Sequence, residues 1–320
     1  MKDKKYGKCH LCGNVTELTF EHLPPEKAHN DRAARVITGD VLSKHIAGVK
    51  KPWDYSGERY KNMQRGMGGY TLCSNCNNNT GAWYAQEYVK FANTIGIILN
   101  TKVNIEKSDW LQVSLIDAHP LRIMKQILCM FASTMPPEFL DANPDLREFI
   151  LNKYSRNFDV KKYRISMYFL KTLSNGWSGL TGMLRSSETR LVAYMDLYPL
   201  GFVLEIDPKG ENFKNTLDIT SLATNCEYDT KCTLELCSNI LERNNFFPAD
   251  FRTKDEIEMC IENNKKETMQ STIKEMKMLE IAKEEYYNII EEYKNNKISC
   301  GEFTMQIEAL KAKKKGVTSC

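Results

Sequence analysis

The sequence predicts an α+β protein of three parts: a small metal-stabilised module, a middle α+β domain built on an antiparallel sheet, and long C-terminal helices. Three observations predict it. Two C-x-x-C pairs, Cys9/Cys12 and Cys73/Cys76, bracket the first part. Strand-like apolar segments punctuated by Gly and Pro fill the second. Residues 254–314 contain no Pro and mix Glu and Lys with apolar residues at helical spacing. The divisions drawn from these features are 1–100, 101–253 and 254–320.

In the first part, residues 6–25 read as a cysteine knuckle, a short strand from Glu17 to Phe20, and a turn kept extended by Pro24 and Pro25. Residues 26–70 read as a long polar insertion whose most flexible stretch is Gly66–Gly69. Trp83, Tyr84, Tyr88, Phe91 and Ile95 then recur at helical spacing, which predicts a helix from about Ala82 to Leu99. In the middle part, helical patterning covers Leu121–Ser133 and Pro144–Leu151, separated by the Pro136-Pro137 break. The clearest strand segments are Tyr163–Leu170, Thr189–Met195, Phe202–Ile206 and Cys232–Cys237. The last part predicts a long helix broken near Asn295-Asn296. Packing on its own domain and pairing into a homodimer through a coiled coil are equally compatible with its partial apolar stripe.

With 320 residues, 42% hydrophobic and 27% charged, the chain is long enough for about two folded domains and is not a disordered polyampholyte. The net charge of +3 is unevenly spread. Residues 1–100 carry 14 Lys/Arg against 9 Asp/Glu, whereas 101–253 carry 18 against 19 and 254–320 carry 12 against 13. The basic excess therefore accompanies the cysteine module, as a phosphate-binding surface requires. Lys50, Lys51, Arg59, Lys61 and Arg65, inside the insertion, are the candidate nucleic-acid contacts, and a merely solvated loop accounts for them equally well. The N-terminus has no apolar signal region, and the longest aliphatic run, Ile95 to Leu99, is far too short to span a bilayer. The expectation is a cytoplasmic protein without membrane contact. Eleven cysteines, an odd number, with two tight pairs favour thiol or metal chemistry over a disulfide framework.

Two C-x-x-C pairs present four thiolates, each pair wrapping one side of a single ion, and Zn²⁺ accepts tetrahedral S₄ ligation. The 60 residues between Cys12 and Cys73 exceed the usual spacing, and the insertion explains how the pairs can still meet. A redox dithiol normally opens a helix in a βαβ context, which is lacking here.

Between the pairs lies Thr19-Phe20-Glu21-His22-Leu23-Pro24-Pro25, and Asn77 directly follows the second pair. With CHLCG, LCSNCN and NNTG, this pattern resembles the HNH (ββα-metal) nucleases, and in particular the four-cysteine recombination endonuclease VII group. The fragments EHLPP, CNNNTG, YPLGF and PADFR are also similar to bacterial proteins described as HNH endonuclease-like. The resemblance implies structural zinc on Cys9, Cys12, Cys73 and Cys76. It further implies a catalytic Mg²⁺ or Mn²⁺ on Glu21 and Asn77, with His22 as the general base that activates water to hydrolyse DNA. These residue types suit the chemistry: a hard cation takes carboxylate and amide oxygens, and a neutral imidazole accepts a proton near its ordinary pKa. Two positions depart from the pattern: the acid is Glu21 rather than Asp, and Gly81 stands where many HNH proteins have a last His. The alternative expectation is therefore a catalytically inactive zinc module that binds nucleic acid or a protein partner.

Overall fold

The computed structural model describes residues 4–37, 56–101, 110–171, 173, 175–185, 188–241, 254–295 and 297–317. They form two compact units, residues 1–254 and 255–320. The first is a mixed α+β unit with a four-cysteine cluster near its N-terminus.

A three-stranded sheet of order β1-β2-β5 opens this unit, built from β1 (Lys5–Lys8), β2 (Val15–His22) and β5 (Gly68–Cys73), with both pairings antiparallel. The insertion between β2 and β5 carries its own two-stranded ribbon, β3 (Ala34–Val36) with β4 (Lys61–Met63). The chain then runs helically from Ser74 to Asn100. This stretch comprises α1 (Ser74–Thr80), a π-helical turn over Gly81–Ala85, and α2 (Gln86–Asn100). It starts eight residues earlier than the apolar periodicity suggests, because the first two turns are dictated by the cysteines rather than by a buried stripe.

The larger sheet has eight strands. Its path is β6 (Trp110–Ala118), β13 (Cys232–Leu241), β7 (Tyr163–Leu170), β11 (Leu200–Ile206), β10 (Glu188–Leu197) and β8 (Asn175–Trp177), with β9 (Thr181–Arg185) on β10 and β12 (Leu217–Asp218) on β7. All pairings are antiparallel except β13 with β7, so the sheet is mixed rather than purely antiparallel. Strand β7 coincides residue for residue with the sequence expectation, while β6 and the β8/β9 edge were not foreseen.

Helix α3 (Pro120–Thr134) is buried over nearly its whole circumference, as a helix must be when it sits between two layers. It packs on the π turn, on α2, on β5 and on α4 (Pro144–Leu151). One continuous core accordingly joins Cys9, Leu11, Leu72, Cys76 and Tyr84 to Met124, Ile127, Phe131, Ile165 and Phe202. Segments 1–100 and 101–253 share this core and are not separately packed bodies. Even Lys125 on α3 is interior. Its Nζ donates to the carbonyls of Asn152 (2.6 Å) and Lys153 (3.2 Å), closing the end of α4, and burial lowers its pKa to about 7.

A buried ion pair ties β10 to β11: Arg190 donates from Nε to Glu205 Oε1 (2.5 Å) and from Nη2 to Oε2 (2.7 Å), and its guanidinium lies 4.0 Å from the Phe213 ring centroid. Glu205→Ala leaves that guanidinium buried without its carboxylate and is expected to cost about 3–5 kcal/mol in urea unfolding, with Arg190→Ala similarly severe. A loss below about 1 kcal/mol would show that water reaches the pair.

The second unit contains α5 (Lys254–Lys294), 41 residues or about 60 Å of helix, and α6 (Cys300–Val317). Ser299 and Glu302 form a reciprocal capping box that starts α6, and Tyr293 meets Phe303 at 4.6 Å across the break. Among the described residues no helix is long and apolar enough to cross a membrane.

Candidate functional site

The two cysteine pairs meet. One ligand atom from each of Cys9, Cys12, Cys73 and Cys76 lies within 4.8 Å of the others, so the four form a set that could hold a metal ion. Gly13, at φ 79°, turns the first knuckle, and its N–H donates to the Cys9 carbonyl (2.9 Å). The second knuckle is the start of α1: the Cys73 sulfur caps the helix by accepting from the Cys76 N–H (3.4 Å). The Cys9 sulfur accepts from the Cys73 N–H (3.3 Å). Such N–H···S bonds favour thiolates. A side-chain bond from Cys76, helped by the Cys73 and Cys12 backbone, holds Cys9 down to about 4, while the same bond and burial push Cys76 up and burial raises Cys12. The donor set, all sulfur and half-buried, fits zinc.

The first knuckle is anchored from outside the small sheet. Lys8 and Arg147 both pair with Asp141, Arg147 Nε donates to the Leu11 carbonyl (3.0 Å), and His10 Nδ1 lies 3.2 Å from the Ala132 carbonyl. His10 is thus engaged by α3.

Glu21 and His22 end β2, opposite Gly69 and Gly68 of β5. A side chain at position 68 would place its Cβ 2.1 Å from the Glu21 carbonyl oxygen, so only glycine allows this pairing. Gly68 and Gly69 are therefore built into the sheet, and Gly66 forms an isolated bridge with Gln64, so this stretch is not the loosest part of the insertion. The Asn30 side chain fixes the same corner: its Nδ2 donates to the carbonyls of Pro24 (2.6 Å) and Met67 (2.9 Å), and its Oδ1 accepts from the Met67 N–H (2.7 Å).

His22 is half-exposed. Its ring meets Phe20 edge-on at 5.0 Å, and Nε2 lies 3.0 Å from the Arg65 carbonyl oxygen. A carbonyl only accepts, so Nε2 carries the proton and Nδ1 holds the basic lone pair. Glu21 is half-buried, and desolvation raises its carboxyl to about 7. It lies close enough to the interior of the unit to act electrostatically on Cys129 of α3.

Asn77 sits one turn into α1. Its Nδ2 donates to Thr19 Oγ1 (3.0 Å) and to the Phe20 carbonyl (3.3 Å). The Thr19 hydroxyl itself donates to the Leu72 carbonyl (2.9 Å), so both partners of Asn77 are acceptors and the amide must present its NH₂ to them. Its carbonyl oxygen is the atom that could take a cation. The sequence pattern gave no hint of this clamp between α1 and the end of β2. Gly81, opening the π turn, has nothing within 4 Å of where a Cβ would lie.

The basic candidates divide. Arg59, Lys61 and Arg65 are exposed, with Lys61 on β4, whereas Lys50 and Lys51 lie outside the described residues. Arg35 covers the Tyr60 ring at 4.7 Å, so that aromatic is engaged within the insertion. His29 is turned inward at φ 61°, beside Gly96 of α2 and the Tyr198 ring. His119 directly precedes α3 and pairs with buried Glu87 (3.0 Å). No family model, no curated protein and no solved structure matches the chain.

Proposed function

We propose that the N-terminal lobe is a metal-dependent phosphodiesterase site of HNH type, acting on DNA, with zinc on the four cysteines as its structural staple. One observation carries the reading. The Asn77 amide nitrogen is tied to the backbone immediately before Glu21 and His22, so a carboxylate, an imidazole and an amide oxygen project from clamped, adjoining backbone. A structural knuckle alone has no use for that combination.

In this reading Glu21 and Asn77 hold Mg²⁺ or Mn²⁺, which when bound stabilises charge developing on the scissile phosphate. His22 takes the proton of the attacking water on Nδ1, while its Nε2–H stays on the Arg65 carbonyl and keeps the ring in one tautomer. The exposed Arg59, Lys61 and Arg65 supply non-specific attraction for the phosphate backbone.

The test is nicking of supercoiled plasmid by the full chain with Mn²⁺ or Mg²⁺, set against Glu21→Gln. Cutting that vanishes in the variant at unchanged zinc content supports the site; DNA binding without cutting in either protein favours the inactive module. Because Glu21 keeps its proton up to about pH 7, Mn²⁺ must displace that proton. Mn²⁺ affinity is therefore expected to rise as pH climbs to about 7 and to level off above it. In calorimetry, an affinity flat across this range would remove Glu21 from the ligand set.

A further inference from the structure

A second surface on the first unit is built like a stacking platform, and it involves none of the residues assigned above. Its centre is the Lys153 ammonium, just past α4. That group lies 4.8 Å from the Tyr154 ring centroid, 5.1 Å from that of Tyr228 and 6.0 Å from that of Trp83. Tyr154 meets Tyr228 edge-on at 5.3 Å, and on Tyr228 the Arg122 guanidinium lies 4.1 Å from the centroid. The Tyr228 hydroxyl donates to the Trp83 carbonyl (3.1 Å), fastening the cluster to the π turn.

Burial separates the parts. Tyr228 is 7% exposed and serves as the floor, whereas Tyr154 is 61% exposed and offers its ring to solvent. Arg122 and Arg156 already have carboxylate neighbours, Asp229 at 2.6 Å and Glu227 at 3.9 Å. Among the described residues Lys153 has no carboxylate within ion-pair distance; its charge is met by ring faces alone, which leaves its Coulombic demand for an anion open. An exposed aromatic face beside an unneutralised ammonium matches a nucleotide, whose base stacks and whose phosphate is anionic. Trp83 lies six residues after Asn77 on one helical run, about 9 Å along the axis, within the reach of a strand crossing both places.

We propose that Tyr154, Lys153 and Trp83 form a binding site for an unpaired nucleotide, so that this surface holds single-stranded DNA by stacking one base on Tyr154 and placing its phosphate at Lys153. Duplex DNA keeps its bases stacked internally and cannot use the tyrosine face. The site goes beyond the proposed cleavage chemistry and does not need it: binding is measurable in EDTA-free buffer without Mg²⁺ or Mn²⁺, in a His22→Ala background.

Fluorescence anisotropy of a labelled oligothymidine with the full chain, alongside a hairpin duplex, reads it. Tyr154→Ala is expected to weaken single-strand binding about tenfold, Tyr154→Trp to restore it, and neither to change duplex binding. Lys153→Gln is expected to reduce the slope of log affinity against log salt by roughly 0.7, the value for one single-strand phosphate contact. Tyr154 is exposed and Lys153→Gln retains the stem, so neither variant threatens the fold. Single-strand affinity unchanged in Tyr154→Ala, or an equal loss for duplex, overturns the proposal. A Tyr154→Ala effect accompanied by dimer dissociation in sedimentation also overturns it, in favour of a self-association surface.

Discussion

Stripping the metal from the four cysteines, or replacing Cys76 with Ser, is expected to unfold the first unit and not merely to loosen a loop. The purified chain should carry one zinc per molecule. Binding of structural zinc by four thiolates is worth on the order of 10 kcal/mol at neutral pH, as large as the whole stability of an ordinary domain. Locality does not confine the damage, because Cys9 and Cys76 are buried and belong to the same core as α3 and β7. Without the ion the four sulfurs stay mutually within 4.8 Å with no cation among them, and Cys76 is pushed well above the ordinary thiol range by its neighbour Cys9. The metal-free state therefore loses four thiolate–metal bonds from within that core. Far-ultraviolet circular dichroism during chelation, with zinc release followed by a colorimetric chelator, should show loss of helix in step with loss of metal. A chain that keeps its melting temperature after complete zinc removal would make the cysteines a dispensable cluster and would remove the staple from the proposed function.

Much of this fold can be read in the residues. Helix α3 and strand β7 declare themselves through period and length, since Leu121–Ser133 is apolar nearly all round and Tyr163–Leu170 is a closed β-rich run. Helix α1 does not. Its sequence, SNCNNNT, has poor helix propensity, and the helix forms because the Cys73 sulfur caps it and because Asn78 and Asn79 bond back one turn to Ser74 and Asn75. The cap comes from a cysteine of the cluster and the two Asn bonds are local polar pairs, none of them visible to a count of apolar spacing. Strand β6 was missed for the opposite reason: Trp110 and Ile116 are exposed, so its apolar residues do not all fall on one face. The shared core was equally hidden. Tyr84, Tyr88, Phe91 and Ile95 mark a buried helix face in the sequence, but nothing in their spacing says that α3 and the larger sheet are what bury it. Of the candidate site, the residue types and their order were legible, whereas the Asn77 clamp and the glycine-only approach of Gly68 to the Glu21 carbonyl depend on through-space geometry.

His22→Ala is expected to reduce DNA cleavage by about 10²–10⁴-fold while leaving zinc content and melting temperature close to those of the parent. Structure loses little with this side chain: the imidazole is half-exposed, touches Phe20 edge-on, and makes one hydrogen bond, to the Arg65 carbonyl, worth about 1 kcal/mol. The catalytic loss should be large because Nε2 is committed to that carbonyl, which fixes the ring and leaves Nδ1 as its basic nitrogen. Arg65 supplies the discriminating control. Its main-chain oxygen holds the ring, so Arg65→Ala keeps the His22 anchor and removes only an exposed guanidinium. That variant should bind DNA more weakly at a given salt concentration, raising KM with kcat nearly unchanged, whereas His22→Ala should lower kcat with KM nearly unchanged. Equal kcat in the His22→Ala variant and the parent would take the imidazole out of the reaction and, with it, the proposed nuclease mechanism. A collapse of kcat in both variants would instead place the Arg65 side chain on the reacting phosphate, making the guanidinium part of the chemistry and not merely of the approach.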